Sequence, residues 1–234
     1  MLGAGVIGLR CFYIIFKYFI LFFLIGRSLV LYAKASQSFC TLICAHGAGA
    51  SMDSEFMEAM TRYLLAQNIS IVRFEFPYMA QRRLDAVRRP PNKAQVLLDT
   101  WRNVYRQVRA QTDEPIVLAG KSMGGRIASM LADELQVPAL VCLGYPFYPA
   151  RKPDKSRIEH LLALQTPALI VQGERDALGS REVVQAYQLS PAIVFEWMAM
   201  ADHDLKPLKR SGFTQEVYLQ QVAATIAAFI RRQL

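Results

Sequence analysis

The sequence predicts an α/β fold built on a minimal, doubly wound and mostly parallel sheet of about six strands. Three observations lead to this prediction: short apolar runs alternate with helical stretches, the runs are apolar at consecutive positions, and proline precedes four of them. A parallel sheet covered by helices on both faces requires nearly continuous apolar strands. The alternation itself implies parallel strands joined by right-handed crossovers.

The predicted strands cover residues 38–45, 69–76, 115–120, 138–144, 167–173 and 191–198. The predicted helices cover residues 53–67, 94–111, 124–136, 180–189 and 214–233. The last of them shows helical apolar spacing at Val222, Ile226 and Phe229. Two longer connections, 77–93 and 145–166, are long enough to wall a pocket but too short for a large cap domain.

The 234 residues suit one domain, predicted at 36–234, preceded by an apolar and basic extension at 1–35. The net charge is +8, and its two sources are residues 1–34 and the stretch 73–109, which includes the Arg-rich connection at 82–93. A basic connection can meet nucleic acid, anionic lipid or an acidic substrate. No nucleic-acid motif accompanies it, so the sequence favours a solvated loop and no nucleic-acid partner.

The four cysteines are Cys11, Cys40, Cys44 and Cys142. They form no C-x-x-C pair and no Cys/His spacing typical of zinc, so no metal site is predicted. Most of them lie in apolar runs, where cysteine behaves as a small hydrophobic residue. This usage favours free thiols in a reducing compartment, and hence a cytoplasmic protein.

The extension contains an apolar run at 11–33 that is long enough to span a membrane, although Lys17 and Arg27 interrupt it. A cleaved signal peptide fits poorly, because no clear small-x-small cleavage site follows the run. Three interpretations stay open. The run can be an anchor that attaches the domain to the inner membrane. It can be an artefact of a start codon assigned too far upstream or a flexible extension, or it can be a packed helix.

The strongest motif is Gly120-Lys121-Ser122-Met123-Gly124, between a buried strand and a helix. This is the G-x-S-x-G nucleophile elbow in its expected context, and it predicts an α/β-hydrolase fold. The serine lies on a sharp turn, so the residues two before and two after it must lack side chains. A phosphate-binding loop is excluded, since its first glycine would fall at Pro115.

The hydrolase order of nucleophile, acid and histidine points to Ser122, Asp176 and His203 as a catalytic triad. Asp176 follows a predicted strand end, and His203 lies between the last strand and the last helix. Rival acids are Glu174, more readily explained as a loop-edge contact, and Asp154. Rival histidines are His160, on a short helical run at 156–164, and His46, which comes too early in the chain.

An oxyanion hole requires two backbone N–H groups. The predicted donors are Met123, directly after the nucleophile, and Ala48, with Gly47 and Gly49 beside it as positions where backbone approaches the substrate. Tyr78 and Tyr145 follow strands and are predicted to bind substrate. The alternative, that these aromatic side chains pack under the loops, is equally open.

Seven segments, in order, resemble the bacterial α/β-hydrolase-like family. Its eukaryotic relatives include a testis-expressed protein and a subunit of the NSL histone-acetyltransferase regulatory complex. The segments are His46-Gly-Ala-Gly with Met52-Asp-Ser, Phe74-Glu-Phe-Pro-Tyr-Met, Arg89-Pro-Pro, Gly120-Lys-Ser-Met-Gly-Gly-Arg, Leu143-Gly-Tyr-Pro-Phe, Gln172-Gly-Glu-Arg-Asp and Asp202-His-Asp-Leu-Lys-Pro.

The resemblance covers about residues 38–232 and implies a serine hydrolase without naming a substrate. It also implies that Asp53 and Glu75 lie near the catalytic edge, although the sequence favours Asp53 as the N-cap of the helix at 53–67. Residues 1–37 depart from the family pattern, because nothing in them indicates the two leading antiparallel strands of the full fold.

These observations predict a serine hydrolase of the esterase or thioesterase type, acting on a small-molecule acyl substrate. No metal or organic cofactor is implied. The alternative is a catalytically inactive interaction protein that keeps the hydrolase fold, since a fold alone does not prove activity.

Overall fold

A computed structural model describes residues 12–15, 18–25 and 28–234, with side chains from residue 30 onward. The described residues form one sheet whose strands are Phe12–Ile15 (β1), Tyr18–Ile25 (β2), Ser28–Lys34 (β3), Cys40–Ala45 (β4), Ile69–Phe74 (β5), Ile116–Lys121 (β6), Leu140–Leu143 (β7), Ala168–Gly173 (β8) and Ile193–Met198 (β9). Their order across the sheet is β1-β2-β3-β5-β4-β6-β7-β8-β9.

The six predicted strands correspond to β4 through β9, and every pair among them is parallel. Strands β4 to β8 are buried along their whole length, which is why their sequences read as continuous apolar runs. The strand order reverses beside β4, whose neighbours are β5 and β6. Ligands of open α/β sheets bind at the carboxyl edge beside such a reversal.

The extension contributes three antiparallel strands, and this corrects two expectations: no strands at 1–37, and a sheet of only about six. Strand β2 pairs with both β1 and β3, and β3 pairs with β5. The run is apolar at consecutive positions, so it lacks the period-2 alternation that identifies a half-buried strand. Three residues on which the sequence interpretation of this run depended lie outside the described residues: Cys11, Lys17 and Arg27.

The described helices are Glu55–Ala66 (α1), Pro77–Asp85 (α2), Ala94–Arg109 (α3), Met123–Ser129 (α4), Arg181–Val184 (α5) and Gln215–Arg231 (α6), with single 3₁₀ turns at Glu159–Leu161 and Lys209–Ser211. Helix α2 was not predicted. Its proline stands at the first helical position, where a missing N–H costs nothing, although the same residue type also signals a turn.

Helices cover both faces of the sheet, as a doubly wound fold requires. On one face, Met60 of α1 and Ile226 of α6 belong to the same buried cluster. On the other face, Trp101 of α3 and Ile127 of α4 pack together against the sheet. The connection from β7 to β8 carries only one 3₁₀ turn, and no cap domain is present in the described part of the chain.

Cys40, Cys44 and Cys142 are free and buried among the described residues. Burial raises the pKa of the Cys40 and Cys44 thiols to about 12 and that of Cys142 further still. They therefore pack as apolar groups. Across the stretches that the structure describes, no helix is both long and apolar enough to cross a membrane.

Candidate active site

Ser122 lies at the sharp turn between β6 and α4, with φ 53° and ψ −119°. This is a conformation that a non-glycine residue rarely adopts, and it turns the serine out of the strand direction. Its N–H donates to the Leu143 carbonyl at 2.9 Å, and its own carbonyl accepts from Arg126 N–H at 3.0 Å. The turn is thus tied to the neighbouring strand on one side and to the helix on the other.

The predicted steric need for glycine at this turn is met at three positions. A Cβ on Gly124 would lie 2.5 Å from the Ala45 carbonyl oxygen, and one on Gly125 would lie 2.6 Å from the Gly120 oxygen. A Cβ on Gly120 would collide with the backbone of Gly124. Strand and helix can therefore approach only because these side chains are absent.

The three residues predicted as a triad are brought into one chain of hydrogen bonds. His203 Nε2 lies 2.9 Å from Ser122 Oγ, and His203 Nδ1 lies 2.7 Å from Asp176 Oδ2. In the neutral tautomer that fits this chain, Nδ1–H donates to the carboxylate and Nε2 accepts from the serine hydroxyl. The Asp176 side chain is completely buried, whereas that of His203 is 26 % exposed.

Gln172 holds the buried carboxylate of Asp176 in place. Its Nε2 donates to Asp176 Oδ2 at 2.8 Å, and its Oε1 accepts from the Tyr145 N–H at 2.7 Å. The second carboxylate oxygen accepts from the Leu178 N–H at 2.8 Å. A carboxylate with this many donors is fixed in orientation, which is what orienting an imidazole requires.

Lys121 anchors the loop that carries His203. Its Nζ donates to the His203 carbonyl at 2.9 Å and lies 3.0 Å from Asp204 Oδ1. Burial lowers the pKa of this ammonium, and the neighbouring Asp204 opposes that shift. Gly144, with φ +65°, makes room for the same loop, since a Cβ there would lie 2.8 Å from the His203 carbonyl oxygen.

The loop after β4, residues 46–50, is braced from beneath by two side chains. Phe76 N–H donates to His46 Nε2 at 3.1 Å, which leaves the ring proton on Nδ1, 2.6 Å from the Gly47 carbonyl oxygen. The Tyr78 hydroxyl donates to the carbonyls of Gly47 and Ala48 at 3.3 and 3.0 Å. Burial lowers the pKa of His46, so this ring is held neutral.

This bracing orients the predicted oxyanion donor on Ala48. In a trans peptide the carbonyl and the following N–H point in opposite directions. Because the Gly47 carbonyl faces His46 and Tyr78, the Ala48 N–H points away from them. Neither this N–H nor that of Met123 donates a hydrogen bond within the part of the chain that the structure describes.

Tyr78 and Tyr145, predicted to contact substrate, lie under the loops, as the alternative had it. Tyr78 is 4 % exposed and Tyr145 is fully buried. The Tyr145 hydroxyl donates to the Arg157 carbonyl at 3.0 Å and lies 3.3 Å from Nε2 of His160. Both side chains support the backbone around the site and do not line the space beside Ser122.

A cavity of about 450 Å³ opens beside Ser122. Its wall includes Ala48 and Met123, so the two predicted oxyanion donors belong to residues of the same cavity as the nucleophile. Arg126 and Arg157 also line it. Gly47 lies next to the serine, whereas Gly49 lines a different cavity together with Glu75 and Arg83.

The rival residues have other partners. Glu174 pairs with Arg181 at 2.7 Å and accepts from the Met200 N–H, which is the loop-edge role expected of it. Asp53 does not cap α1, whose N-cap is Ser54, so that interpretation was wrong. Its carboxylate instead receives both terminal nitrogens of Arg83 at 2.9 Å, and the same Arg83 pairs with the buried Glu75.

Sequence reasoning did not identify Gln172 and Lys121 as parts of the site. Both stand at the carboxyl end of a strand that is otherwise apolar and completely buried. A polar side chain at such a position must find partners, because burying it alone is costly. Polar residues at the ends of buried strands were therefore the available signal.

Residues 38–231 match the family described as alpha/beta hydrolase domain. An alpha-beta serine hydrolase homologue from Coxiella burnetii has a similar structure, with a TM-score of 0.67 at 21% identity over 91% of this chain and 98% of that one. XC6422 from Xanthomonas campestris, described as an a/b serine hydrolase without lid, gives 0.66 at 19% identity over 94% and 97% of the two chains.

Dienelactone hydrolase from Anabaena variabilis is similar too, with a TM-score of 0.69 at 16% identity over 92% of this chain and 97% of that one. At identities this low the likeness concerns the fold. It agrees with the strand order and with the absence of a cap domain in the described residues.

Proposed function

The chain belongs to the alpha/beta hydrolase domain family, and from that premise we propose that it is a serine hydrolase acting on an ester or thioester of a small acyl group. The observation that carries the proposal is the unbroken hydrogen-bond chain from Ser122 through His203 to the buried Asp176. Each residue has the chemistry its position calls for: nucleophile, general base and orienting anion.

The reaction begins when His203 Nε2 accepts the hydroxyl proton of Ser122 as Oγ attacks the carbonyl carbon. Asp176 stabilises the imidazolium that forms. When the intermediate collapses, the bond to the alcohol or thiol breaks and Nε2 returns the proton to that leaving group. A water molecule then repeats the sequence on the acyl-enzyme, releasing the acid and restoring the serine.

The negative charge that develops on the carbonyl oxygen is stabilised by the N–H groups of Met123 and Ala48. Their position on the cavity wall supports this role, as do their unused N–H groups. Removing one such donor in a serine hydrolase typically costs about 3 kcal/mol of transition-state stabilisation. The bracing of the loop by His46 and Tyr78 keeps the donor in place before substrate arrives.

Carboxylic-ester hydrolysis is the form of the activity that we favour, because no cap or propeller domain screens the site within the described residues, as one does in many peptidases. The closer relationship to the testis-expressed protein and the complex subunit is part of the same proposal. A chain that only mediates interactions would have no need for three aligned side chains beside an open cavity.

A fluorophosphonate probe tests the proposal, since it labels only a serine that is activated as a nucleophile. We expect the wild type to be labelled, Ser122→Ala to take no label, and His203→Ala to be labelled at least about 100-fold more slowly. Ser211→Ala, on the 3₁₀ turn at Lys209–Ser211 and outside the lining of the cavity, should be labelled like the wild type. Folded wild-type protein that takes no label would instead support the inactive interaction protein.

A further inference from the structure

Two cationic side chains line the cavity that holds Ser122. Arg126 projects from α4, four residues after the nucleophile, and Arg157 lies on the connection between β7 and β8. Both are half-buried. The remainder of the wall is largely apolar and includes Leu97, Ile127 and Leu178.

Neither arginine has a carboxylate partner among the described residues. Several other described arginines do, among them Arg83, Arg102 and Arg181. The side chains of Arg126 and Arg157 also donate no hydrogen bond to another described group. Nε of Arg126 is buried and has no partner there. A guanidinium has five donors, and buried donors are normally paired. The guanidinium groups of Arg126 and Arg157 are therefore placed to bind a group that is not part of the described structure.

The arrangement is electrostatically unfavourable without an anion. Burial lowers the pKa of Arg157, and the positive charge of Arg126 lowers it further. Glu159, two residues after Arg157 in the sequence, is exposed and forms no ion pair with either arginine in the described structure. Two adjacent positive charges in a partly desolvated wall attract a negative group strongly, because the local dielectric is low.

The Arg-rich connection at 82–93 does not supply this charge. Arg83 is paired with Glu75 and Asp53, and Arg89 is paired with Asp85. Where this connection reaches the cavity it presents only Pro91 and Asn92. The cavity therefore obtains its positive charge from α4 and from the opposite connection.

We propose that the substrate carries an anionic group, a carboxylate or a phosphate, which pairs with Arg126 and Arg157 while its ester carbonyl lies at Ser122. The planar guanidinium fork matches both oxyanions in a bidentate manner. The apolar wall suits a short aliphatic spacer between the anion and the ester. This inference rests on the proposed function for the ester, but the anion site can be tested without catalysis.

Hydrolysis is measured with three ethyl esters of equal chain length: monoethyl glutarate, its uncharged ω-amide and the matching ω-phosphonate. We expect kcat/KM for a charged ester to exceed that for the amide by about tenfold or more, because each charge-assisted hydrogen bond is strong. The charged ester with the higher value distinguishes a carboxylate from a phosphate substrate. In Arg157→Gln the ratio should approach one, and Arg157→Lys should restore part of it.

Arg106→Gln is the matched control, because it removes the same charge from the exposed face of α3. Its ratio should equal that of the wild type. The ratio for Arg126→Gln is interpreted only if this variant unfolds at the same temperature as the wild type. If it does not, the ratio for Arg157→Gln alone tests the anion site. A charge preference that survives in folded Arg157→Gln and Arg126→Gln would overturn the inference.

Binding to Ser122→Ala separates this inference from the proposed function. Calorimetry with the same three esters should give at least tenfold tighter binding for a charged ester than for the amide, weakened by salt. If the charged esters bind preferentially but the wild type hydrolyses none of them, the anion site stands and the hydrolase proposal fails. If charged and uncharged esters bind and react equally, the anion site is refuted and the hydrolase proposal is unaffected.

Discussion

At the scale of single residues, the site depends on backbone that is held in a rarely populated conformation. Ser122 has φ 53°, and a position of this kind typically costs about 1–3 kcal/mol. It persists because the strand before it and the helix after it are locked together through glycine. Small changes at these glycines should therefore lower the stability of the protein and displace the loop at 46–50.

Gly124→Ala tests that close approach. The added Cβ would lie 2.5 Å from the Ala45 carbonyl and 2.6 Å from that of His46, so we expect a loss of about 2 kcal/mol despite the better helix propensity of alanine. Urea denaturation measures it. Gly49→Ala is the control, because its Cβ would meet nothing within 4 Å, and its stability should stay within about 0.5 kcal/mol of the wild type.

His46 makes stability depend on pH. Burial lowers its folded-state pKa below the ordinary 6.5, so the unfolded chain binds more protons and stability falls as the pH drops below 6.5. The slope for one histidine is at most about 1.4 kcal/mol per pH unit. His46→Gln can keep both hydrogen bonds but does not titrate.

We expect His46→Gln to have a shallower fall in the free energy of unfolding between pH 6.5 and 5, measured by urea titration at half-unit intervals. Burial also lowers the pKa of His160, so part of the slope should remain in His46→Gln and disappear only when His160→Gln is added. Identical slopes in wild type and His46→Gln would show that the pKa of His46 does not change on folding.

At the scale of elements, α2 connects the loop after β4 to the sheet. Tyr78, at the start of this helix, supports the carbonyls of Gly47 and Ala48. Arg83, one and a half turns later, contacts Asp53 beyond that loop and Glu75 at the end of β5. One helix thus contacts both the loop that carries the proposed oxyanion donor and the residue Asp53 that follows this loop.

Arg83→Met should destabilise the protein by about 2 kcal/mol, because it leaves the fully buried Glu75 carboxylate without its cation. Arg83→Met combined with Glu75→Gln should recover part of the loss. Arg89→Met, which breaks an exposed pair with Asp85 four residues earlier in the sequence, should leave the urea midpoint unchanged. Equal effects of Arg83→Met and Arg89→Met would mean that the cluster contributes nothing beyond a surface pair.

At the scale of the whole molecule, the parallel sheet continues into antiparallel strands on the side of β5. Strand β3 covers the edge of β5, and its Val30, Leu31 and Ala33 are almost completely buried. An uncovered edge strand would expose unpaired backbone groups and promote aggregation. Val30 thus belongs to the same buried cluster as Tyr78 and Ile127, which lie beside the site.

Deleting residues 1–34 should therefore cost about 3 kcal/mol or more relative to deleting residues 1–27, because only the longer deletion removes β3 and its buried side chains. Chemical denaturation and light scattering of the two truncated proteins measure the difference. Equal stability and equal solubility would show that β3 is dispensable and would favour a domain that begins at residue 36.

The sequence alone determined what is encoded over short distances. Continuous apolar runs identified the six parallel strands, and glycine at fixed offsets around Ser122 identified the elbow, because both patterns arise from local sterics and burial. The order of motifs along the chain was sufficient to select Asp176 and His203 over Glu174 and His160. Their hydrogen bonds to one another then appeared in the structure, while their catalytic roles remain a proposal.

Only the tertiary structure decided what depends on neighbours that are distant in the chain. Strands β1–β3 were not predicted, because an apolar run has the same sequence pattern whether it contacts lipid or another strand. The partners of Lys121 and Gln172 lie on other loops, and no local pattern records them. The charge of the cavity was likewise decided by pairing: Arg83 and Arg89 have acids beside them, whereas Arg126 and Arg157 do not in the described structure.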